Sequence, residues 1–234
     1  MALIIQRGKA DRPIDLAMAD AFLHLGTGLK WTGVALSPLL LFPLVCLLYG
    51  RRLHSTADHL ASFIDRISSA ALAMAMACGV VIVVTQLLVV ILRYVFGLSF
   101  SWLSEIVVYG FAAMFLLASA SALRENDHVR VDILRPRFGV RGRAAAELVG
   151  IYLFLFPICA LVLWSAISPS FVRSWMNFEA SRESDGLPIL FLFRTLIPLF
   201  AVLLMAQGLS QAIKAAQTLT GLRAPEDPQG AVTG

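Results

Sequence analysis

Apolar residues are concentrated in five long runs along the 234-residue chain, with short polar segments between them. The runs extend over Trp31–Tyr49, Ile67–Phe96, Trp102–Leu123, Leu148–Ile167 and Ile189–Leu209. A helix needs about 20 apolar residues to cross the roughly 30 Å hydrocarbon core of a bilayer. None of the runs shows the two-residue alternation of a membrane β-strand. The pattern therefore predicts an all-α, polytopic membrane helical bundle, in which the second to fifth runs form four core transmembrane helices.

The first run is harder to interpret, because Pro38 and Pro43 interrupt its helical hydrogen bonding and basic residues precede it. It either spans the membrane as an extra N-terminal helix or lies at the surface as a re-entrant or interfacial segment. We accordingly predict three parts. Residues 1–60 form an N-terminal extension with an additional helix at 31–49, residues 61–217 form the four-helix membrane domain, and residues 218–234 form a disordered cytoplasmic tail.

Composition supports the membrane class, because 59% of the residues are hydrophobic and only 15% are charged. An ordinary soluble domain carries roughly 45–50% apolar and about 25% charged residues. The three cysteines lie in apolar runs without a CxxC spacing, so we expect neither a disulfide framework nor a zinc site. The five-residue link Gly97–Ser101 predicts that the second and third runs form an antiparallel helical hairpin.

Six arginines lie in the segment Arg124–Arg143, between the third and fourth runs. Cytoplasmic loops carry an excess of Lys and Arg, whereas the short link between the second and third runs has none. This alternation predicts a cytoplasmic loop and a cytoplasmic C-terminus. A nucleic-acid site is not expected, because the segment has one aromatic residue, Phe138, and is tied to membrane helices at both ends. Attraction to anionic lipid headgroups is a secondary expectation.

Polar residues inside the runs are candidates for a function, because burying them in lipid is costly. Arg93 and Glu105 flank the hairpin link, and we hypothesise that they pair; the alternative is that both reach the interface separately. Arg194 lies one turn into the fifth run and faces either the interface or a partner subunit. Gln86 is expected to form an interhelical hydrogen bond, and Asp65 is expected to be solvated at a helix end.

The sequence contains no nucleotide-binding loop, no GxSxG and no metal-ligand cluster, and no histidine lies within a predicted span. Histidines inside the spans would be needed to hold a haem between helices. We therefore expect no enzyme activity, no cofactor, and no catalytic, substrate-binding or metal site within this chain.

The region Ile91–Asp132 resembles the small, DctQ-like membrane subunit of tripartite ATP-independent periplasmic (TRAP) transporters. The resemblance is carried by RYVFG at the end of one helix, SFSWLSEI with Trp102 and Glu105 at the start of the next, then ASASAL and HVRVDIL. It extends over about residues 60–217. The first sixty residues depart from the usual four-helix subunit.

This resemblance implies a scaffold that pairs with a large membrane subunit in the bacterial inner membrane. The large subunit would carry the substrate and sodium sites, and a periplasmic substrate-binding protein would deliver an organic acid such as a dicarboxylate or a 2-oxo acid. Residues with a structural or subunit-interface role would then be Arg93, Trp102, Glu105 and Arg194. The alternative is a membrane-anchor subunit of a respiratory or other multi-subunit complex.

Overall fold

The structure, a computed structural model, describes residues 40–125, 139–167, 169–181 and 183–221. Within these ranges the chain forms six α-helices and no strand, which confirms the predicted all-α class. The helices are α1 (Phe42–Val95), α2 (Ser101–Glu125), α3 (Val140–Gly150), α4 (Phe156–Ala166), α5 (Pro169–Met176) and α6 (Leu190–Leu219). A π-helical turn, Ile151–Leu155, makes α3 and α4 into one continuous rod.

Four stretches of the described residues are long and apolar enough to cross a membrane, as predicted from the second to fifth runs. They are Ser55–Val95, Ser101–Glu125, Arg141–Ala166 and Leu190–Leu219. Residues 31–39 of the first run lie outside the described residues, and residues 42–49 belong to α1. Most of the arginine-rich loop, residues 126–138, and most of the predicted tail, from residue 222, also lie outside them.

The predicted hairpin forms between α1 and α2. The helix α1 ends where Gly97 adopts a φ of +67°, a backbone conformation that favours glycine, and the N–H of Leu98 donates to the carbonyl of Leu92 at 3.0 Å. The two helices then approach closely, since a Cβ atom added to Gly110 would lie 3.0 Å from Cγ1 of Ile82. We call the end of the bundle that holds Phe96–Phe100 the hairpin end, and the opposite end, where α2 and α6 finish, the tail end.

The helix α6 lies at the centre of the bundle, because it packs against α1, α2 and the α3–α4 rod. Two apolar clusters fill the spaces around it. One joins α1, α2 and α6 through Ala71, Ala75, Leu117, Ala120 and Leu203. The other joins α1 and α6 to the rod near its π-helical turn, through Ala57, Ala61, Ile64, Ile151, Phe156, Leu209, Ala212 and Ile213.

A glycine allows the rod to meet α6. A Cβ atom added to Gly208 would lie 2.6 Å from Cδ2 of Leu155 and 3.3 Å from Cε1 of Phe156. Both contacts are at or beside the π-helical turn, which lies just before Pro157. Proline lacks an N–H and its ring crowds the carbonyl four residues earlier, and a wider turn relieves that crowding. Close contact between the rod and α6 therefore depends on a side chain being absent at position 208.

The start of α1 returns to the bundle. Leu40 packs against the same apolar cluster as Ala57, and the hydroxyl of Tyr152 donates a hydrogen bond to the carbonyl of Leu40. Seventeen residues of straight helix would separate Leu40 from Ala57 by about 26 Å along the axis. Because Leu40 nevertheless contacts the cluster and Tyr152, α1 is not straight and bends towards the rod before Ala57.

Candidate functional site

Asp65 is the centre of a polar cluster near the tail end. Its carboxylate accepts hydrogen bonds from Nε2 of Gln207 at 3.1 Å, Oγ of Ser210 at 3.0 Å and Nζ of Lys214 at 2.7 Å. Asp65 was expected to be solvated; its side chain is 25% exposed, but its carboxylate also bonds to three side chains of α6. Desolvating a carboxylate is costly unless donors compensate it, and α6 supplies three donors, one of them charged.

Two serines extend the cluster around Asp65 from α1 and α6 to α2. Ser68 donates from Oγ to Oε1 of Gln207 at 2.6 Å, and Ser121 of α2 donates from Oγ to the carbonyl of Ser68 at 2.8 Å. These two serines and Gln207 are each at most 2% exposed. Buried polar side chains of α1, α2 and α6 thus bond to one another, which fixes how the three helices are aligned along their axes. We call this set of residues the Asp65 cluster.

The end of α2 is held next to this cluster. Gln211 donates from Nε2 to the carbonyl of Leu123 at 2.6 Å, and so satisfies one of the carbonyls that a helix C-terminus leaves without a partner. Arg124 donates from Nη1 to the carbonyl of Asp65 at 3.1 Å and to Oγ of Ser69 at 2.5 Å. The first residue of the arginine-rich segment is therefore fixed against α1.

A signal for the Asp65 cluster was present in the sequence. Polar residues recur at intervals of three or four along the second half of α6, at Gln207, Ser210, Gln211, Lys214 and Gln217. This spacing places them along one side of a helix. Gln217 continues the pattern by donating from Nε2 to Oδ1 of Asp58 at 2.8 Å. A polar face on an otherwise apolar spanning helix indicates bonds to neighbouring helices, here mainly α1 and, for Gln211, α2.

Glu105 is the centre of a second polar site, at the hairpin end. Its carboxylate accepts a hydrogen bond from the hydroxyl of Ser181 and another from the N–H of Leu187, at 2.7 Å. The two donors belong to the loop between α5 and α6, residues 177–189, which we call the hairpin-end loop. Arg93 is not a partner of Glu105 among the described residues, so the hypothesised pair does not form. The donors of the loop lie closer to the Glu105 carboxylate than the Arg93 guanidinium does.

The hairpin-end loop also caps α2. Oδ2 of Asp185 accepts a hydrogen bond from the N–H of Ser101, the first residue of α2, at 3.0 Å. A carboxylate at a helix N-terminus satisfies an otherwise unpaired N–H and interacts favourably with the helix dipole. The backbone N–H of Ser101 accordingly lowers the pKa of the Asp185 carboxyl below its ordinary value. Glu105 of α2 thus accepts hydrogen bonds from the loop, and Asp185 of the loop accepts one from α2.

Arg194 and aromatic rings connect the hairpin-end loop to α6. Nη2 of Arg194 lies 3.1 Å from Oε1 of Glu179, and Nε1 of Trp175 donates to Oγ1 of Thr195 at 3.1 Å. The ring of Phe191 packs edge-on against Trp175, with the ring centroids 5.0 Å apart. Arg194 therefore forms an ion pair within the chain, with Glu179 of the hairpin-end loop.

The other two predicted residues lie on the surface of the hairpin end. Arg93 is exposed and lines a shallow depression together with Ser99 and Ser104. Trp102 is 37% exposed, and its ring centroid lies 6.3 Å from that of Phe100. The structure thus brings Glu105 and Arg194 into contact with the hairpin-end loop, and leaves Arg93 and Trp102 facing outward. No group of three or more His, Cys, Asp or Glu side chains in the described ranges is placed to hold a metal ion.

Residues 80–218 match the family model described as tripartite ATP-independent periplasmic transporters, DctQ component. The matched segment contains Glu105, the hairpin-end loop and the polar face of α6, and it begins after Asp65. No curated protein and no solved structure matches the chain.

Proposed function

Because the chain belongs to the DctQ component family of tripartite ATP-independent periplasmic transporters, we propose that it is the scaffold of such a transporter in the bacterial inner membrane. In this role it binds and holds a large membrane subunit, which carries the substrate and sodium sites. A periplasmic binding protein delivers an organic acid, such as a dicarboxylate or a 2-oxo acid, and sodium-driven uptake follows. The chain itself catalyses no reaction.

The observation that carries the scaffold role is how the acidic side chains of the candidate spans are used. All five have a partner within the chain: Asp58, Asp65, Glu105, Glu125 and Glu147. A carboxylate that moves sodium or a proton must exchange partners during each cycle, and it usually lines a water-filled path. Carboxylates that bond to their own helices and loops are suited to fixing a rigid body. This supports placing the transport chemistry in the partner subunit.

The direction in which the chain crosses the membrane follows from its charges. The arginine-rich segment joins α2 to α3 at the tail end, and a basic loop remains in the cytoplasm. The tail end with the C-terminus is then cytoplasmic, and the hairpin end is periplasmic. The hairpin-end loop is therefore on the side from which a periplasmic binding protein approaches.

Affinity purification from a mild detergent tests this function. The tagged chain is expressed together with its large subunit and binding protein, and an unrelated tagged four-helix membrane protein serves as the control. We expect the tagged chain to retain the large subunit, and the control protein not to retain it. Reconstituted vesicles with both membrane subunits should accumulate the organic acid under a sodium gradient, and vesicles without the chain should not. Recovery of the chain by itself, or with iron–sulfur or flavin subunits, would contradict the proposal.

A further inference from the structure

Four glutamines lie in the candidate spans, and one of them differs from the rest. Gln207, Gln211 and Gln217 of α6 are buried and bond to neighbouring helices. Gln86 of α1 is exposed on the surface of the bundle and makes no hydrogen bond to any residue that the structure describes. The interhelical bond expected for Gln86 is thus absent from the part of the chain described. Its amide faces outward from an apolar helix.

We place the hairpin end at the membrane surface, and at this placement Gln86 lies too deep to be satisfied by water. It is nine residues from the end of α1 at Val95, which places it about 14 Å along the helix from that end. Arg93 is only two residues from the end, so its long side chain reaches the interface. A glutamine side chain is too short to do the same. An amide that bonds to neither water nor protein is unfavourable in hydrocarbon. If only lipid chains surrounded Gln86, its unsatisfied amide would therefore destabilise the protein.

Gln86 and Arg93 lie on one face of α1 together with two exposed valines. Val83, Gln86, Val90 and Arg93 are spaced by three, four and three residues, and Val83 and Val90 are 68% and 40% exposed. We call these four residues the Gln86 face. The residues that face the rest of the bundle, such as Ile82 and Thr85, lie about 100° around the helix. Only 6% of the most apolar stretch of this helix is buried within the chain, against 22% in α6.

We propose that the Gln86 face is the surface on which the large membrane subunit packs one of its transmembrane helices. That helix presents a hydrogen-bonding side chain at the depth of the Gln86 amide, and a carboxylate or main-chain carbonyl at the depth of the Arg93 guanidinium. Val90 contributes an apolar surface between these two polar contacts, and Val83 extends that surface on the other side of Gln86. This assignment rests on the proposed scaffold function, and it names the helix of the chain that contacts the partner.

Site-specific photo-crosslinking locates the contact. A photoreactive phenylalanine analogue replaces Val83 or Val90 on the Gln86 face. As controls it replaces Leu153 or Leu161 on the α3–α4 rod, which are 63% and 70% exposed and so at least about as accessible as the two valines. All variants are expressed with the large subunit. We expect adducts between the chain and the large subunit from the two valine positions only. Adducts from the rod alone, equal adducts from all four positions, dimers of the chain, or only lipid adducts at the valines would each overturn the proposal.

The variant Gln86→Leu then tests the polar contact. It should lower the retention of the large subunit through detergent washing by about three- to twentyfold, the usual range for one interhelical hydrogen bond in a membrane. The melting temperature of the isolated chain should stay unchanged, because Gln86 bonds to no described residue. The control Val84→Leu changes another exposed position of α1, 61% exposed, and should retain the large subunit fully.

The two possible failures can be distinguished. If the wild-type chain retains the large subunit and Gln86→Leu retains it equally well, the Gln86 face is wrong and the scaffold function stands. If the wild-type chain never retains the large subunit, the scaffold function itself is wrong. A lower melting temperature of isolated Gln86→Leu would show that the amide has a partner within the chain, which also overturns the proposal.

Discussion

A carboxylate near each end of the bundle accepts several hydrogen bonds, but the donors differ in kind. Asp65, towards the tail end, accepts from three side chains of α6, whereas Glu105 at the hairpin end accepts from a hydroxyl and a backbone N–H of a loop. Bonds between side chains of long helices fix the alignment of those helices. Bonds to a loop fix only the loop. The first carboxylate therefore contributes to the stability of the whole bundle, and the second to local order.

The side chains around Asp65 are also more deeply buried than those of the hairpin-end loop. Ser68, Gln207 and Ser210 beside Asp65 are at most 1% exposed, whereas Glu183 and Asp185 in the hairpin-end loop are exposed. An unpaired polar group is costly where water is excluded and cheap where water can replace the lost partner. Substitutions in the Asp65 cluster should therefore cost more free energy than equivalent substitutions in the hairpin-end loop.

The largest effect is expected from Asp65→Ala. It removes the acceptor of three donors and leaves Lys214 without its partner. Breaking a fully buried ion pair lowers the free energy of unfolding by about 3–5 kcal/mol. The side chains of Asp65 and Lys214 are 25% and 23% exposed, so solvent screens their interaction in part, and we expect the free energy of unfolding to fall by about 2 kcal/mol. For a chain of this size, the melting temperature in detergent should fall by about 4–8 °C.

Glu125→Ala is the matched control for Asp65→Ala. Glu125 pairs with Arg124 at 2.6 Å, but its side chain is 47% exposed, so its loss should cost less than about 0.5 kcal/mol. Circular dichroism melting measures both variants. Equal shifts for the two would show that the Asp65 cluster adds no more than a surface ion pair.

A smaller and more local effect is expected from Glu105→Gln. The amide keeps one acceptor oxygen but removes the charge and offers a donor where Leu187 already donates. We expect a loss of about 1 kcal/mol in the local stability of the hairpin-end loop, with little change in the melting temperature. Hydrogen exchange at the Leu187 amide should become about fivefold faster. Unchanged exchange at this amide would contradict the role given to Glu105.

Gly186→Ala reaches the same loop by a steric route. An added Cβ atom would lie 2.4 Å from Oγ of Ser181 and 2.9 Å from Oε1 of Glu105, so the loop must shift. We expect a local cost of about 1 kcal/mol, at the low end for overpacking because the loop is partly exposed, and faster exchange at Leu187. Gly150→Ala is the control, because its Cβ atom would meet nothing within 4 Å. Slower exchange in Gly186→Ala would indicate that the loop accommodates the methyl group without losing the Glu105 bonds.

The smallest effect is the pH dependence of the Asp185 cap. The pKa of Asp185 is lowered by the N–H of Ser101, so its contribution is present above the ordinary aspartate pKa and is lost as pH falls through the lowered value. Protection of the Ser101 amide should therefore decrease below about pH 4. The variant Asp185→Asn should remove this dependence. A protection profile that is flat with pH in the wild-type chain would contradict the cap.

Some polar contacts could be inferred from the sequence and others could not. The spacing of Gln207, Ser210, Gln211 and Lys214 is local information, and it indicates a polar helix face. The identity of their acceptor is not local, since Asp65 lies 149 residues from Lys214. The hypothesis that Glu105 pairs with Arg93 rested on closeness along the hairpin, and it was wrong because a loop about 80 residues away folds back onto Glu105.

The sequence by itself determined that the chain is an all-α membrane protein with four spans and that it resembles the DctQ family. Both conclusions depend on local properties, because crossing hydrocarbon requires about 20 consecutive apolar residues and the family resemblance is carried by short motifs. Only the tertiary structure decided which polar residues bond within the chain and which, like Gln86, face outward. That choice depends on the alignment and rotation of packed helices, which residues far apart in the sequence set together.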